Sequence, residues 1–340
     1  MELQLKNIGM IKEANIKIDG LTVIAGENDT GKSTVGKALY LMLKSREVGF
    51  TKEIRNDDTK KDSMVLNSDY LMSKLFKQSH LYVEGYLSLK TKNGNYFNRR
   101  DDKFRYSGIG QEYKGGVNSK ERDIIFIESP LVWNFTDFFR DIAQVESQFE
   151  LKLDYPYLMK DLNFKLHIKS ASSGLDIKKK MTDLMGGEFK KDEMGRYYFD
   201  KQGQRVELVN TATGIKTFGI FQVLSQNNYL NKNMVLILDE PEVHLHPKWQ
   251  LEMAKIIVEL VKNGVKVLVN SHSPYMIEAL QRHSELEKVN SDFYLAEKGY
   301  IKKENDSNSE TLAKIFEKLS EPFDVFEEME SQKMENFING

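Results

Sequence analysis

The octapeptide Gly26–Ser33, GENDTGKS, has the spacing G-x-x-x-x-G-K-[ST] of a phosphate-binding loop, or P-loop. Each position has a chemical reason. Glycines let backbone N–H groups turn inward around phosphate oxygens, Lys32 reaches the β- and γ-phosphates, and Ser33 offers a hydroxyl oxygen to Mg2+. Such a loop works with a carboxylate partner. The run Val235–Glu240, VLILDE, ends in Asp239, placed to hold the Mg2+ shell, and Glu240, placed to orient and deprotonate an attacking water. Two weaker elements complete the order. Thr211–Lys216, TATGIK, comes before that run and puts Thr213 and Gly214 at a candidate helix start. Val267–Pro274, VLVNSHSP, follows it and puts His272 at the end of an apolar stretch, where it reads as a γ-phosphate sensor. Alone, Thr213-Gly214 is equally an ordinary helix cap, and His272 an ordinary hydrogen-bonded histidine. Their order along the chain is what gives them weight.

Strands and helices must carry these groups. Leu21–Ala25 is a continuous apolar run, as expected of a strand buried on both faces, and a helical pattern follows from Gly31 to about Lys44. Two alternating segments, Leu3–Ile8 and Ala14–Ile18, precede it as strands. In the middle, Tyr82–Lys90 and Tyr96–Tyr106 read as a hairpin turning at Asn93-Gly94, and Ile124–Ile127 as a short buried strand. Helical spacing runs from Asn134 to about Leu162, and a second hairpin pairs Tyr197–Asp200 with Arg205–Val209. The last third alternates again: a helix near Thr217–Asn227, the strand Met234–Leu238, a helix Lys248–Lys262, the strand Val265–Val269 and another helix. About 200 residues separate the P-loop from its carboxylates, far more than one or two α/β units occupy, so an insertion is expected between them. The predicted fold is an α/β P-loop core with a mixed β-sheet, interrupted by an α+β insertion. Its expected parts are 1–50 and 196–300 for the core, 51–195 for the insertion and 301–340 for a helical tail.

Composition narrows the class. The chain has 340 residues, 40 % of them apolar, with 49 Lys+Arg against 51 Asp+Glu. That is enough to bury a large core and too apolar for a disordered chain. The absence of cysteine excludes disulfides, thiolate zinc sites and a cysteine nucleophile. No stretch approaches the roughly 18 to 20 apolar residues of a membrane span, and the first residues lack a signal-peptide core. A soluble, cytoplasmic protein is the expectation. A near-zero net charge argues against a surface given over entirely to nucleic acid.

The segments LKNIGMIKEANIKIDGLTVIAGENDTGKST, NTATGIKTFGIFQVL, LILDEPEVHLHPKWQ and VNSHSPYMIEAL together resemble the SMC/RecF/OLD-like branch of ABC ATPases. More narrowly, they are similar to stand-alone ATPases related to the OLD proteins, many of which belong to phage-defence or toxin–antitoxin loci. The resemblance covers about the first 45 residues and roughly Tyr197–Gln281. It implies that Gly26, Asn28, Gly31, Lys32, Ser33 and Thr34 bind ATP with Mg2+, the latter through Ser33 and Asp239. It further implies that Glu240 is the general base and His272 the switch residue. Thr213, Gly214 and Lys216 would meet the γ-phosphate held by a second protomer, so that ATP is sandwiched in a homodimer, with the turn His244–Pro247 along the seam. The output implied is ATP-dependent dimerisation that controls a partner effector, a nuclease or a toxin, or a DNA interaction, in phage defence. A RecF-like ATPase binding DNA directly and a non-hydrolysing, antitoxin-like subunit are the alternatives.

The chain also departs from the pattern. Thr213 stands where the family signature has serine, and the Q-loop glutamine expected after Ile124–Ile127 has no counterpart, Ser129-Pro130 standing there instead. A Toprim nuclease domain is not expected in the residues after His272, which are fewer than such a domain occupies. Ser88–Arg122 carries nine Lys/Arg against four Asp/Glu, interleaved with Tyr96, Phe97, Phe104, Tyr106 and Tyr113. That pattern suits a nucleic-acid strand, but a hairpin with one buried and one solvated face explains it more simply. The tail from Glu321, with six carboxylates and one lysine, is expected to be a packed terminal helix.

Overall fold

A computed structural model describes residues 1–50, 71–77, 85–90, 96–100, 103–107, 123–149 and 155–339. The turn Asn93-Gly94 and Gln111–Arg122, with the loop part of the basic segment, lie outside the described residues. The chain opens with strands β1 (Glu2–Ile8), β2 (Ile11–Lys17) and β3 (Leu21–Ala25), then helix α1 (Lys32–Phe50). Next come β4 (Tyr86–Lys90), β5 (Tyr96–Arg100), β6 (Lys103–Ser107) and β7 (Asp123–Ile127). A 3-10 turn (Pro130–Phe135) leads into α2 (Thr136–Phe149), followed by α3 (Tyr157–His167) and α4 (Lys178–Met185). Strands β8 (Glu188–Lys191), β9 (Tyr197–Lys201) and β10 (Gln204–Glu207) precede α5 (Thr213–Gln226). The remainder alternates as β11 (Met234–Asp239), α6 (Pro247–Lys262), β12 (Lys266–Ser271), α7 (Pro274–Leu286), β13 (Ser291–Glu297), β14 (Tyr300–Lys302) and α8 (Asn308–Asn339).

Eleven strands form one mixed sheet in the order β6-β5-β4-β1-β2-β14-β13-β3-β12-β11-β7, and β10-β9-β8 form a second, small one. From β13 to β7 every neighbouring pair is parallel, whereas β6 to β2 pair antiparallel. The parallel strands are apolar on both sides because both faces are covered. Their alternation sorts side chains between two cores. Leu21, Val23, Met234, Leu236, Leu238, Val267 and Val269 pack on one face against α5, α6 and α7, while Ile24, Val235, Ile237 and Leu268 pack on the other against α1.

Parallel register brings the strand ends together. Ala25 lies opposite Ser271 on one side and Leu295 on the other, Asp239 opposite Asn270, and Leu238 opposite Ile127. The C-terminal edges of β3, β12, β11 and β7 are therefore adjacent, which is where open parallel sheets bind ligands.

The single return strand expected over Tyr96–Tyr106 is instead two strands, β5 and β6, paired antiparallel with each other, and three further departures from the sequence-based expectation have local causes. The helical spacing from Asn134 to Leu162 is broken: α2 ends at Phe149, and α3 starts afresh after Pro156, which lacks an N–H and precludes a helical Tyr155. The hairpin of β9 and β10 gains a third strand, β8, paired with β9. The terminal helix is present, but Val325, Phe326, Met329 and Met334 are exposed, so its second half does not pack as expected.

Candidate nucleotide site

The P-loop leaves β3 through backbone that only glycine tolerates at two points. Gly26 has φ +153°, and a Cβ there would lie 2.3 Å from the Ala296 carbonyl oxygen. Gly31 has φ +93°, and a Cβ there would meet Ile11 Cδ1 at 2.4 Å. Ser33 and Thr34 lie in the first turn of α1, whose N–H groups open toward the loop. Lys32 is buried, and its Nζ donates to the carbonyl oxygens of Gly26 at 2.9 Å and Glu27 at 2.6 Å. Those carbonyl contacts tie the ammonium back across the loop it would share with a phosphate. Burial pushes the ammonium below its ordinary value, and the carboxylates of Glu240, Asp239, Glu242 and Glu27 resist that shift.

Asp239 ends β11 next to the loop. Burial raises its carboxyl above the ordinary value, while hydrogen bonds from Asn270 and Ser33 pull the other way. Asn270 Nδ2 donates to Asp239 Oδ1 at 2.7 Å, so one carboxylate oxygen is held by the neighbouring strand. Glu240 follows in left-handed backbone, φ +50°, uncommon for a glutamate and fixed here by its N–H donating to Asn270 O at 2.9 Å. His272 Nδ1 lies 3.2 Å from Glu240 Oε1. A carboxylate only accepts, so Nδ1 carries the proton and Nε2 is left to face other partners.

Ser33, Asp239 and Glu240 line a cavity of about 280 Å³ together with Glu128, Ser129, Pro130, Thr217 and Phe221. A larger cleft of about 1020 Å³ lies between β1, β2 and β14, lined by groups such as Glu2, Lys17, Asp292 and Lys303, none of them from the P-loop. The smaller cavity has the donor set for a hard cation: a hydroxyl and carboxylate oxygens beside a phosphate-binding loop. The residues present therefore fit Mg2+ with a nucleotide.

With the P-loop, its carboxylates and the histidine on one edge, comparison with known proteins settles the family. Residues 1–202 and 134–277 match the profile of the AAA ATPase domain. The chain belongs to the AAA ATPase domain family. The chain is 23 % identical to the endonuclease GajA of Bacillus cereus (strain VD045) over 363 residues, covering 88 % of this chain and 61 % of that protein. It thus spans about three-fifths of that relative's length. Among solved structures it is similar to an SMC head bound to the C-winged helix domain of ScpA, at 13 % identity, 88 % and 95 % coverage and a TM-score of 0.48. It is also similar to an SMC head with an extended coiled coil bound to the C-terminal domain of ScpA from Pyrococcus furiosus, at 13 % identity, 92 % and 98 % coverage and a TM-score of 0.46. AAA ATPase membership agrees with the resemblance to SMC/RecF/OLD-type ATPases carried by the motifs.

Not every predicted residue of the AAA ATPase domain gathers at this edge. Thr213 opens α5, but its carbonyl accepts from Thr217 Oγ1 at 3.1 Å, and Gly214 abuts Trp249 and Leu245. Lys216 Nζ donates to Asn134 Oδ1 at 2.9 Å, and the indole N–H of Trp133 donates to the Lys216 carbonyl. His246 caps α6, its ring accepting from Lys248 N at 3.3 Å. Two residues at the edge escaped sequence reasoning. Glu128 directly follows β7 and faces the cavity, its carboxyl pushed up by burial and held down by Lys37, 3.9 Å away. Asn270 binds both Asp239 and Glu240. No motif in the sequence singles out Glu128, which directly follows strand β7.

Proposed function

We propose that this chain binds ATP with Mg2+ and hydrolyses it to ADP and phosphate. The observation that carries the reading is the convergence of Lys32, Asp239, Glu240 and the His272 imidazole on one sheet edge. Gly26, Asn28, Gly31 and Thr34 shape the loop around the phosphates, and Lys32 exchanges its carbonyl contacts for phosphate oxygens. Ser33 and Asp239 would hold Mg2+, which when bound neutralises charge on the phosphate oxygens. Glu240 takes a proton from the water that attacks the γ-phosphorus as the bond to the β,γ-bridging oxygen breaks, and ADP leaves. His272, oriented by Glu240, follows the γ-phosphate. The geometry needs no cysteine and no preformed metal cage.

Lys32→Ala is expected to lose both nucleotide binding and turnover. Glu240→Gln, isosteric but unable to take a proton, is expected to lower the rate about a hundredfold or more while retaining ATP binding. Phosphate release and a fluorescent-nucleotide titration measure the two. An unchanged rate in Lys32→Ala overturns the assignment.

We further infer that ATP draws two copies together through Thr213, Gly214 and Lys216, and that dimerisation controls a separate effector in the cytoplasm, in the manner of OLD-related defence ATPases. The support is the motif resemblance and the similarity to a relative named as an endonuclease. Among the described residues no helix is long and apolar enough to cross a membrane.

A further inference from the structure

Glu242 lies two residues beyond Glu240 in the turn after β11, and nothing in the proposed chemistry uses it. It is 4 % exposed, a buried carboxylate beside a catalytic cluster. Its Oε1 accepts three hydrogen bonds from one short stretch: Ser271 Oγ at 2.7 Å, His272 N at 2.9 Å and Ser273 N at 3.2 Å. We propose that Glu242 is a positioning residue that pins the turn 271–273 to the end of β11, so that the His272 ring faces Glu240. This rests on the roles of Glu240 and His272 proposed above.

Three features distinguish this from generic packing. First, an anionic acceptor shared by two backbone N–H groups and a hydroxyl fixes the direction of the chain at His272, because charge-assisted bonds are shorter and stronger than neutral ones. Second, the turn is braced from its other side: Ser273 Oγ donates to Gln250 Oε1 at 2.6 Å, and Gln250 Nε2 donates to Leu245 O at 3.1 Å. The end of β12 is thus clamped between the β11 turn and α6, and Pro241 stiffens the link from Glu240 to Glu242. Third, Glu242 stands behind the reacting edge. The cavity is lined by its neighbours Pro241 and Val243, and Oε1 lies 3.7 Å from His272 Nδ1 against 3.2 Å for Glu240. Glu242 therefore acts through the histidine.

The test uses the full chain with labelled histidine, whose six residues give a countable set of ring signals in NMR. His272→Ala identifies the His272 signal by its loss. In Glu242→Ala that signal is expected to move while the other five stay. In Glu242→Gln, which keeps an acceptor oxygen, it is expected to remain near its wild-type position. In parallel, Glu242→Ala is expected to lower kcat about tenfold or more with KM for ATP within about twofold. Glu242→Gln should restore about a third or more of the lost rate, and Glu242→Ala should add little to His272→Ala in a double variant, as residues acting through one another do. An unmoved His272 signal in Glu242→Ala overturns the proposal, as do rate losses that multiply. If all six signals shift, the fold has been lost and Glu242→Gln decides: a displaced His272 there also overturns it. A wild-type chain that hydrolyses no ATP would defeat the ATPase reading, while the ring signal would still decide the placement.

Discussion

Glu128 brings a third carboxylate to the cavity, at the end of β7. It faces the same cavity as Asp239 and Glu240, and Lys37 Nζ lies 3.9 Å from its Oε1. Three acids around one phosphate-sized space repel a nucleotide that arrives without its metal. In an open, water-like site, one charge a few ångströms from a phosphate opposes binding by on the order of 1 kcal/mol. Glu128→Gln is therefore expected to bind ATP about fivefold more tightly in EDTA. With Mg2+ present the gain should shrink or reverse, because a carboxylate becomes useful once the cation is there. Titrations of a fluorescent ATP analogue with and without Mg2+ measure this difference. Equal affinity of both proteins in EDTA would show that Glu128 does not face the phosphates. This residue was hidden in the sequence for a physical reason: nothing in Ile127-Glu128-Ser129-Pro130 marks the acid, and its neighbours come from β11 and α1, far along the chain. Lys32, Asp239 and His272 were legible because phosphate chemistry ties their types to fixed spacing or strand ends.

Helix α1 behind the P-loop is anchored to α3 by an ion-paired group inside the protein. Asp161 Oδ2 accepts from Lys165 Nζ at 2.6 Å, and Lys44 Nζ lies 3.3 Å from Oδ1. Burial alone would raise the Asp161 carboxyl; Lys165 and Lys44 outweigh it and hold it below its ordinary value. A carboxyl depressed in the folded state binds its proton more readily when unfolded. The stability it supplies is complete above the unfolded value of about 3.8 and is lost as pH falls through the lower folded value. Removing one partner of a buried pair leaves ammonium groups uncompensated, at about 3 kcal/mol or more. Asp161→Asn is thus expected to melt well below wild type at pH 7 and to narrow that gap at pH 3. Denaturation curves at the two pH values decide it, and an equal gap at both would refute the ionic account. At this scale the sequence told strands from helices wherever alternation or a buried run was long enough. It missed β8, four residues long, because so short a segment has no period to read. It joined α2 to α3 because Phe135, Phe138, Phe139, Ile142 and Val145 keep helical spacing, although Pro156 stands against a continuous helix. Strand β13, Ser291–Glu297, was passed over although Asn290-Ser291-Asp292 separates its apolar run from the helix before it.

Across the whole molecule, one copy brings the P-loop, Asp239, Glu240 and His272 to a single edge, while the α5 start points into different company. The contacts of Thr213, Gly214 and Lys216 run within α5, to Trp249 and Leu245, and to Asn134. If they act on ATP, they do so from a second copy, and that arrangement has an arithmetical consequence. Thr213→Glu places a carboxylate where the γ-phosphate of the partner's ATP would arrive. An acid in the first turn of a helix favours the fold, so the damage should be confined to the seam. Lys32→Ala disables the loop but leaves the α5 start intact. Each variant alone is expected to be inactive. Mixed in equal amounts, half of the dimers pair one with the other, and each such dimer has one of its two sites whole: the intact loop of one chain against the intact α5 of its partner. The mixture is expected to recover about a quarter of the wild-type rate, as the pairing statistics of a twofold assembly require. Recovery should depend on protein concentration, because the dimer must re-form. Wild-type activity in Thr213→Glu alone would remove α5 from the site. No recovery on mixing, with both variants folded and Thr213→Glu still binding ATP, would place the whole reaction within one copy.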